Sequence, residues 1–410
     1  MTTSSSHFRL AAIALAGYCL VTASVADDTA ATTAPASVPV KQTEETAKPK
    51  WLTYKLSYAA LLDFTAFGQD STSISQVGKQ ENQWEIRDLR ITLAGTMGVD
   101  YKVGYQLAMG FAGLDAEPGE RWNIMDLNFS FPTDKTTKII VGKTKETFDY
   151  EMVSLAAFGS AQERVLSPFF VSRNVGVKVQ HYTPSKKMTL SAGVFNDWFT
   201  AGQSLSDSGT NVTARATFLP QMNESGDKYL HLGLAGRYVG ADDGKIRYKG
   251  RPESNVADNF VDTGSLEADS AFNVGLEALW NQGPLSFLAE YNRSWLKSQP
   301  NGNPQFSGYY ITGSYVLTGE HRPYDPTVGY TRMFKPTKKS GAIELVGRFS
   351  NVDLEDGPVH GGKFDKTYLG VNWWAQENWK IGLGWGHTWL DKAGQTGQSD
   401  SLLCRLQWVF

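Results

Sequence analysis

The residues of this chain best suited to hold a solute are cations that recur in phase with β-strands. Successive strand residues face opposite sides. That rule puts Lys55, Arg90, Lys102 and Lys178 on the polar faces of their segments, followed by Arg215, Arg237, Arg348, Lys380 and Arg405. It puts Asp63, Asp88, Asp126, Glu277, Glu290 and Glu344 there as well. Arginine grips an oxyanion through two parallel N–H bonds from a planar fork, while lysine acts as a point charge. Cations on a shared polar face therefore point to recognition of anions by charge, with no bond made or broken. The acids among them make the lining mixed, closer to a transverse field than to a purely basic ladder. Arg90, Arg173, Arg215, Arg237 and Arg348 are the candidate anion path along the wall.

No catalytic or metal-binding set competes with this reading. His181, His231, His321, His360 and His387 are scattered, and none has a metal-ligand spacing to a second histidine or a cysteine. Asp353, Glu355, Asp356 and Gly357 lack the twelve-residue calcium pattern. No serine–histidine pair is singled out as a hydrolase site. Neither enzyme activity nor a cofactor is expected. The net charge of −3 argues against nucleic acid as a partner.

The elements that must carry these cations are strands with one apolar and one polar side. The last nine residues show the pattern: Leu402, Cys404, Leu406, Trp408 and Phe410 share a face opposite Leu403, Arg405, Gln407 and Val409. It recurs at 101–111, 124–131, 175–182, 212–218 and 343–350. In 124–131, Met125, Leu127, Phe129 and Phe131 oppose Asp126, Asn128 and Ser130. Spans of about 9–12 residues suit a tilted membrane strand. Mean hydropathy is −0.32, and past the N-terminal region no run of 18 apolar residues exists. A membrane protein of that profile is a closed sheet, since lipid tolerates only helices or closed barrels. A soluble sandwich would also alternate, but with less charge on its polar faces.

Short connections fall at 98–100, 132–135, 183–187, 281–284 and 375–378 and read as periplasmic turns. Longer polar ones at 68–83, 112–121, 144–172, 200–209, 250–269, 297–305, 352–365 and 392–400 read as outside loops. Residues 328–334 also look extended. Parity rejects them as a span, so 318–339 becomes one long periplasmic connection and the count is sixteen. The fold expected is an all-β transmembrane antiparallel barrel over 51–410, in a bacterial outer membrane. Residues 1–26 read as a signal peptide, with Ser24-Val25-Ala26 at its cleavage site. Residues 27–50, rich in Ala, Thr, Pro, Lys and Glu, read as a flexible periplasmic tether.

The third outside loop, 144–172, is the longest and the least polar. Phe148, Tyr150, Met152, Leu155, Phe158 and Leu166 lie in it with Phe169 and Phe170. Apolar loop residues need something to cover them. Folding into the lumen would do so and narrow it; packing between subunits is the alternative. Lys143, Lys145 and Arg164 are the candidate constriction cations, with Ser154, Ser160 and Ser167 as hydroxyl donors.

Several segments resemble the phosphate-selective porin O and P family. They are Gly142-Lys143 and the loop after it, Glu163-Arg164, the run from Phe169 to Gly176, and Tyr309 to Tyr315 leading into Leu317-Thr318-Gly319-Glu320. Gly341 to Leu354 and Leu369 to Trp374 follow. The resemblance covers most of 84–410. It implies a homotrimer of sixteen-stranded barrels in outer-membrane lipid, with the third extracellular loop folded into each lumen, and passive diffusion of small anions, phosphate or polyphosphate first. Where family members often carry adjacent arginines, this chain reads Arg87-Asp88-Leu89-Arg90, which weakens the case for tight phosphate binding. A general or carbohydrate-accepting porin is the alternative; a structural barrel anchoring envelope partners through 27–50 is a third reading. Trp373, Trp374, Trp379, Trp385, Trp389 and Trp408 are read as mostly outward interfacial anchors.

Overall fold

The alternation closes on itself. The computed structural model describes residues 51–111, 121–198, 205, 209–333 and 335–410. The leader, the tether, residues 112–120 of the second long loop and most of 199–208 lie outside the described residues. One closed antiparallel barrel of sixteen strands is formed. In chain order these are β1 (Leu52–Gln69), β2 (Gln83–Met97), β3 (Val103–Phe111), β4 (Trp122–Pro132), β5 (Thr137–Lys145), β6 (Arg173–Tyr182), β7 (Met188–Asn196) and β8 (Thr210–Met222). Then come β9 (Lys228–Gly240), β10 (Ser270–Gln282), β11 (Leu285–Lys297), β12 (Gln305–Val316), β13 (Ala342–Asp356), β14 (Val359–Gln376), β15 (Trp379–Lys392) and β16 (Gln395–Val409). Each strand pairs with the next. β1 closes the ring on β16, from Ala59 opposite Val409 to Gln69 opposite Ser399.

Burial gives the two faces their meaning. Leu234, Leu276, Ile311, Leu369 and Leu383 look outward and are half exposed, whereas Arg237, Asn273, Glu344, Lys366 and Arg405 look inward and are buried. A water-soluble sandwich would invert this order. An apolar exterior around a polar interior needs lipid outside, and a closed ladder leaves no strand edge unpaired in it. Trp373, Trp379 and Trp385 stand on the outer face. Trp374 does not: it is buried inside, with Lys380 Nζ 5.0 Å above its ring.

Three features depart from a strict reading of period and turns. First, 352–365 and 392–400 are not long loops. β13 and β14 run on to the two-residue turn Gly357-Pro358, and β15 and β16 to Ala393-Gly394, whose φ angles of 54° and 72° match a mirror-image hairpin turn. Here the pattern inverts: Val352, Leu354, Val359, Phe364 and Leu390 are buried in an apolar cluster while Asp353, Glu355, His360 and Lys363 are more exposed, so the lipid-facing period did not mark these strand ends. Second, bulges reset the phase, two of them in the first four strands. Leu61 pairs with Asp88 but Leu62 with Ile86, leaving Arg87 as an extra residue turned inward to Glu163. Ala108 pairs with Asp126 but Met109 with Ile124, which frees Met125 to lie over inward-facing Gly110 rather than on the outer face. Third, 317–341 is one connection, as parity requires, and carries a short ladder of Tyr324–Asp325 with Tyr330–Thr331.

The outward face generates a direct test at Leu276, midway along β10. Leu276→Arg is expected to cost about 2–4 kcal/mol, read as a lower urea midpoint for folding into phospholipid vesicles. Leu276→Phe should leave the midpoint close to wild type. An unchanged midpoint for the arginine variant would mean that this face does not meet lipid.

Candidate functional site

A wide barrel leaves an interior that its own wall side chains cannot fill. The segment between β5 and β6 contacts inward-facing side chains around much of the ring. At its start, Glu146 accepts from Arg237 Nε at 2.8 Å and from Asn174 at 2.7 Å. Asp149 accepts from Asn292 at 2.5 Å, and the Tyr150 and Glu151 amides donate to Glu290 at 2.6 and 2.9 Å. Glu151 takes Arg348 at 2.8 Å and, through its other oxygen, the amides of Val165 and Leu166. On the opposite side, Gln407 donates to Ala157 O at 3.0 Å and Asn372 to Ser160 O at 2.8 Å. Glu163 bridges Arg87 at 2.7 Å and Arg405 at 2.6 Å. Asn273 donates to Phe169 O on the way back. The apolar members, Phe148, Met152, Leu166 and Phe169, join Tyr248 and Phe260 of the β9–β10 connection in one buried cluster. That cluster supplies the cover which so apolar a loop requires.

The long β12–β13 connection contacts inward side chains too. Arg215 donates to Gly329 O at 2.8 Å, the Tyr324 hydroxyl pairs with His231 at 2.6 Å, and Arg322 pairs with Glu344. It meets the third loop directly: Tyr150 and Thr331 hydroxyls are 2.6 Å apart, and Arg322 donates to Phe158 O at 2.8 Å. Loop and connection thus share contacts in the half of the ring formed by β8–β13.

Two spaces flank the loop. The one towards β10–β13 is only about 70 Å³ and is lined by Tyr150, Ser154, Ser160, Tyr310 and Arg322 among others. The one towards β1–β6 is about 480 Å³. Its lining holds seven basic side chains, Arg87, Arg90, Lys145, Arg164 and Arg173 together with Lys249 and Arg251, against two acids, Asp88 and Glu163. Both acids are engaged, Asp88 by Arg90 at 2.6 Å and Glu163 by its two arginines. Lys145 and Arg164 converge on one carbonyl, Ser154 O, at 2.6 and 3.1 Å. Arg173 reaches Asp126 at 3.0 Å. Arg90 Nε is buried, and no acceptor among the described residues reaches it.

The residues picked from sequence thus fall into separate groups. Arg90, Arg173, Lys145, Arg164 and Ser167 line the larger cavity. Arg215, Arg237 and Arg348 are buried in ion pairs with Glu277, Glu146 and Glu151. Ser154 and Ser160 line the smaller space. Lys143 lies outside the larger cavity's lining and pairs across the ladders with Leu127 and Val175. Arg87, Lys249 and Arg251 were missed. A cation apparently out of phase in Arg87-Asp88-Leu89-Arg90 was the available signal of a bulge. The loop cations carried none, because no period places a residue outside a strand. Among the described residues no group of three or more His, Cys, Asp or Glu could hold a metal ion.

The family model described as phosphate-selective porin O and P matches residues 62–410. Porin O of Pseudomonas aeruginosa is 31% identical over 257 residues, which are 54% of this chain and 57% of that protein, so the match spans little more than half of the relative. An anion-selective porin from Comamonas acidovorans superposes with a TM-score of 0.57 at 12% identity, covering 88% of this chain and 100% of the other. OmpT of Vibrio cholerae in its trimer form gives a TM-score of 0.52 at 12% identity, covering 87% and 100%. Identities this low speak to the fold alone, a closed porin-type barrel.

Charge fixes the loop tip. Burial alone would raise the Glu163 carboxyl, but Arg87 and Arg405 outweigh it and hold the group at about 2, against 4.5 for a free glutamate. Burial pushes Arg164 down to about 10, with Arg87 and Arg173 adding to the drop and Glu151 and Glu163 opposing it. A depressed carboxyl stabilises the fold fully above the unfolded value and loses that contribution as pH falls through the folded one. The Glu163 clamp should therefore hold unchanged from pH 7 down to 4.5 and weaken between 4.5 and 2. Single-channel conductance should stay flat over the first range and drift over the second. Glu163→Gln should already show the altered conductance at pH 7; a wild-type value there would mean that the clamp does not hold the loop.

Proposed function

The chain belongs to the phosphate-selective porin O and P family, and on that footing we propose that it is a passive outer-membrane channel for small anions. Phosphate or polyphosphate is the favoured solute, and the working unit is a trimer of barrels. The observation that carries the reading is the sign of the larger cavity, seven cations against two acids that are both already paired. Surplus positive charge in a low-dielectric cleft raises local anion concentration and on-rate. Lys249 and Arg251 come from the β9–β10 connection at the long-loop rim, and along β2 Arg87 precedes Arg90 on the way to the other rim. Moderate contacts in series let an anion leave as readily as it enters. Asp88 occupies one arm of Arg90, which favours passage over retention.

Arg215, Arg237 and Arg348 have a different task in this reading. Their guanidiniums hold the third loop and the β12–β13 connection against the wall rather than meeting solute. Removing one partner of a buried pair leaves an uncompensated charge and costs about 3–5 kcal/mol.

Reversal potentials in a salt gradient test the whole reading, with anion preference expected. Arg90→Ala and Arg173→Ala should each lower that preference while the barrel stays folded, whereas Arg237→Ala should mainly lower the unfolding midpoint. A wild-type channel that prefers cations would refute the assignment, and a potential near zero would leave a general or carbohydrate-accepting porin in its place.

A further inference from the structure

The larger cavity has two unlike walls. On β1, Ala59 and Leu61 face inward, opposite Arg90 and Asp88 on β2. Across the closing ladder they meet Val409 and Gln407 of β16. Gln407 donates to Ala157 O, so the loop stretch Leu155-Ala156-Ala157 lies over this side. All three loop residues line the cavity. The other side is basic: Arg90 on β2 and Arg173 at the start of β6, with Lys145 and Arg164 joined at the Ser154 carbonyl. Arg90 presents a buried Nε–H that no described residue accepts.

A bare phosphate ion uses only half of such a lining. It is strongly hydrated, and Leu61, Ala59 and Leu155 offer it neither charge nor hydrogen bonds. An apolar surface in a water path is costly unless something covers it. We propose that this cavity is a subsite for amphipathic anions, namely phosphate monoesters bearing a small aryl or alkyl group. The phosphoryl oxygens meet the arginine side, and the organic group lies against Ala59, Leu155 and Ala156, which line the cavity and are only partly covered. The cavity volume of about 480 Å³ leaves room for both parts at once. The inference rests on the anion-channel reading and names its solute class. No bond is made or broken; selection is by charge on one side and by removal of apolar surface from water on the other.

The test is block of chloride current through the full-length protein in planar bilayers, with inorganic phosphate and phenyl phosphate as probes. Phenyl phosphate is expected to block at a concentration about tenfold lower. Leu155→Ser should bring the ratio of the two blocking concentrations towards one. In wild type, block by methyl, ethyl and butyl phosphate should strengthen in that order, a measurement that needs no variant to fold. Equal block by both probes, a flat alkyl series, or a ratio unaltered by Leu155→Ser would overturn the subsite. A channel that inorganic phosphate blocks normally would in those cases keep the anion reading intact. A cation-selective channel blocked by neither probe would end both.

Discussion

Every backbone N–H and C=O within lipid must find its partner in the protein, and in this chain that is achieved by the ladder between β1 and β16. Eleven residue pairs, from Ala59–Val409 to Gln69–Ser399, turn an open sheet into a ring. Once the ring is closed, the sheet has an inside and an outside, and a period of two assigns each strand residue to one of them. The exposed leucines and isoleucines of the outer face and the buried arginines and glutamates of the inner face follow from that step. Without closure the same alternation would put an apolar face in water.

Closure creates the next constraint, an interior too wide for sixteen strands of side chains to pack. The β9–β10 connection contributes Tyr248 and Phe260 to the buried cluster, and two further connections contact the inward-facing side chains. The β5–β6 loop brings Phe148, Met152 and Phe169 to the apolar cluster, and the β12–β13 connection brings Tyr324 to His231 and Gly329 to Arg215. Both arrive with backbone polar groups that need partners away from water. Inward arginines and asparagines supply donors, as Arg215 does for Gly329 O and Asn372 for Ser160 O. Buried ion pairs return little net stability compared with apolar packing, and their value lies in positioning. Here Arg237–Glu146 sets where the loop leaves the wall, and Arg87–Glu163–Arg405 sets where its tip stops. The polar filling of β8–β13 and the cation surplus beside β1–β6 are thus two uses of the same residue types, distinguished by how much open space the loop leaves beside them.

Much of the wall was legible because strand chemistry is local. Leu127, Phe129 and Asp126 declare their faces to any reader who counts in twos, and the sixteen-strand count survived the false extended signal at 328–334. Met125 and Arg87 were not legible in the same way. A bulge adds one residue whose effect shows only against the neighbouring strand, here the steps from Leu61 to Leu62 and from Ala108 to Met109. The late hairpins misled for another reason: next to Gly357-Pro358 and Ala393-Gly394 the apolar residues Val352, Leu354, Phe364 and Leu390 are buried while their polar neighbours are more exposed, the reverse of the lipid-facing pattern.

The sequence by itself determined that the chain alternates, that its polar faces carry arginines, and that its third loop is too apolar to stand in water. Those properties depend on neighbours along the chain. Only the tertiary structure decided which arginines are spoken for. Arg215, Arg237 and Arg348 share the alternation of Arg90, yet each is buried against a carboxylate from another segment, while Arg90 pairs with Asp88 of its own strand and lines the larger cavity. That difference arises between residues tens to hundreds of positions apart, such as Arg348 and Glu151. A guanidinium's availability is a property of what the fold sets beside it, which no spacing along a strand can encode.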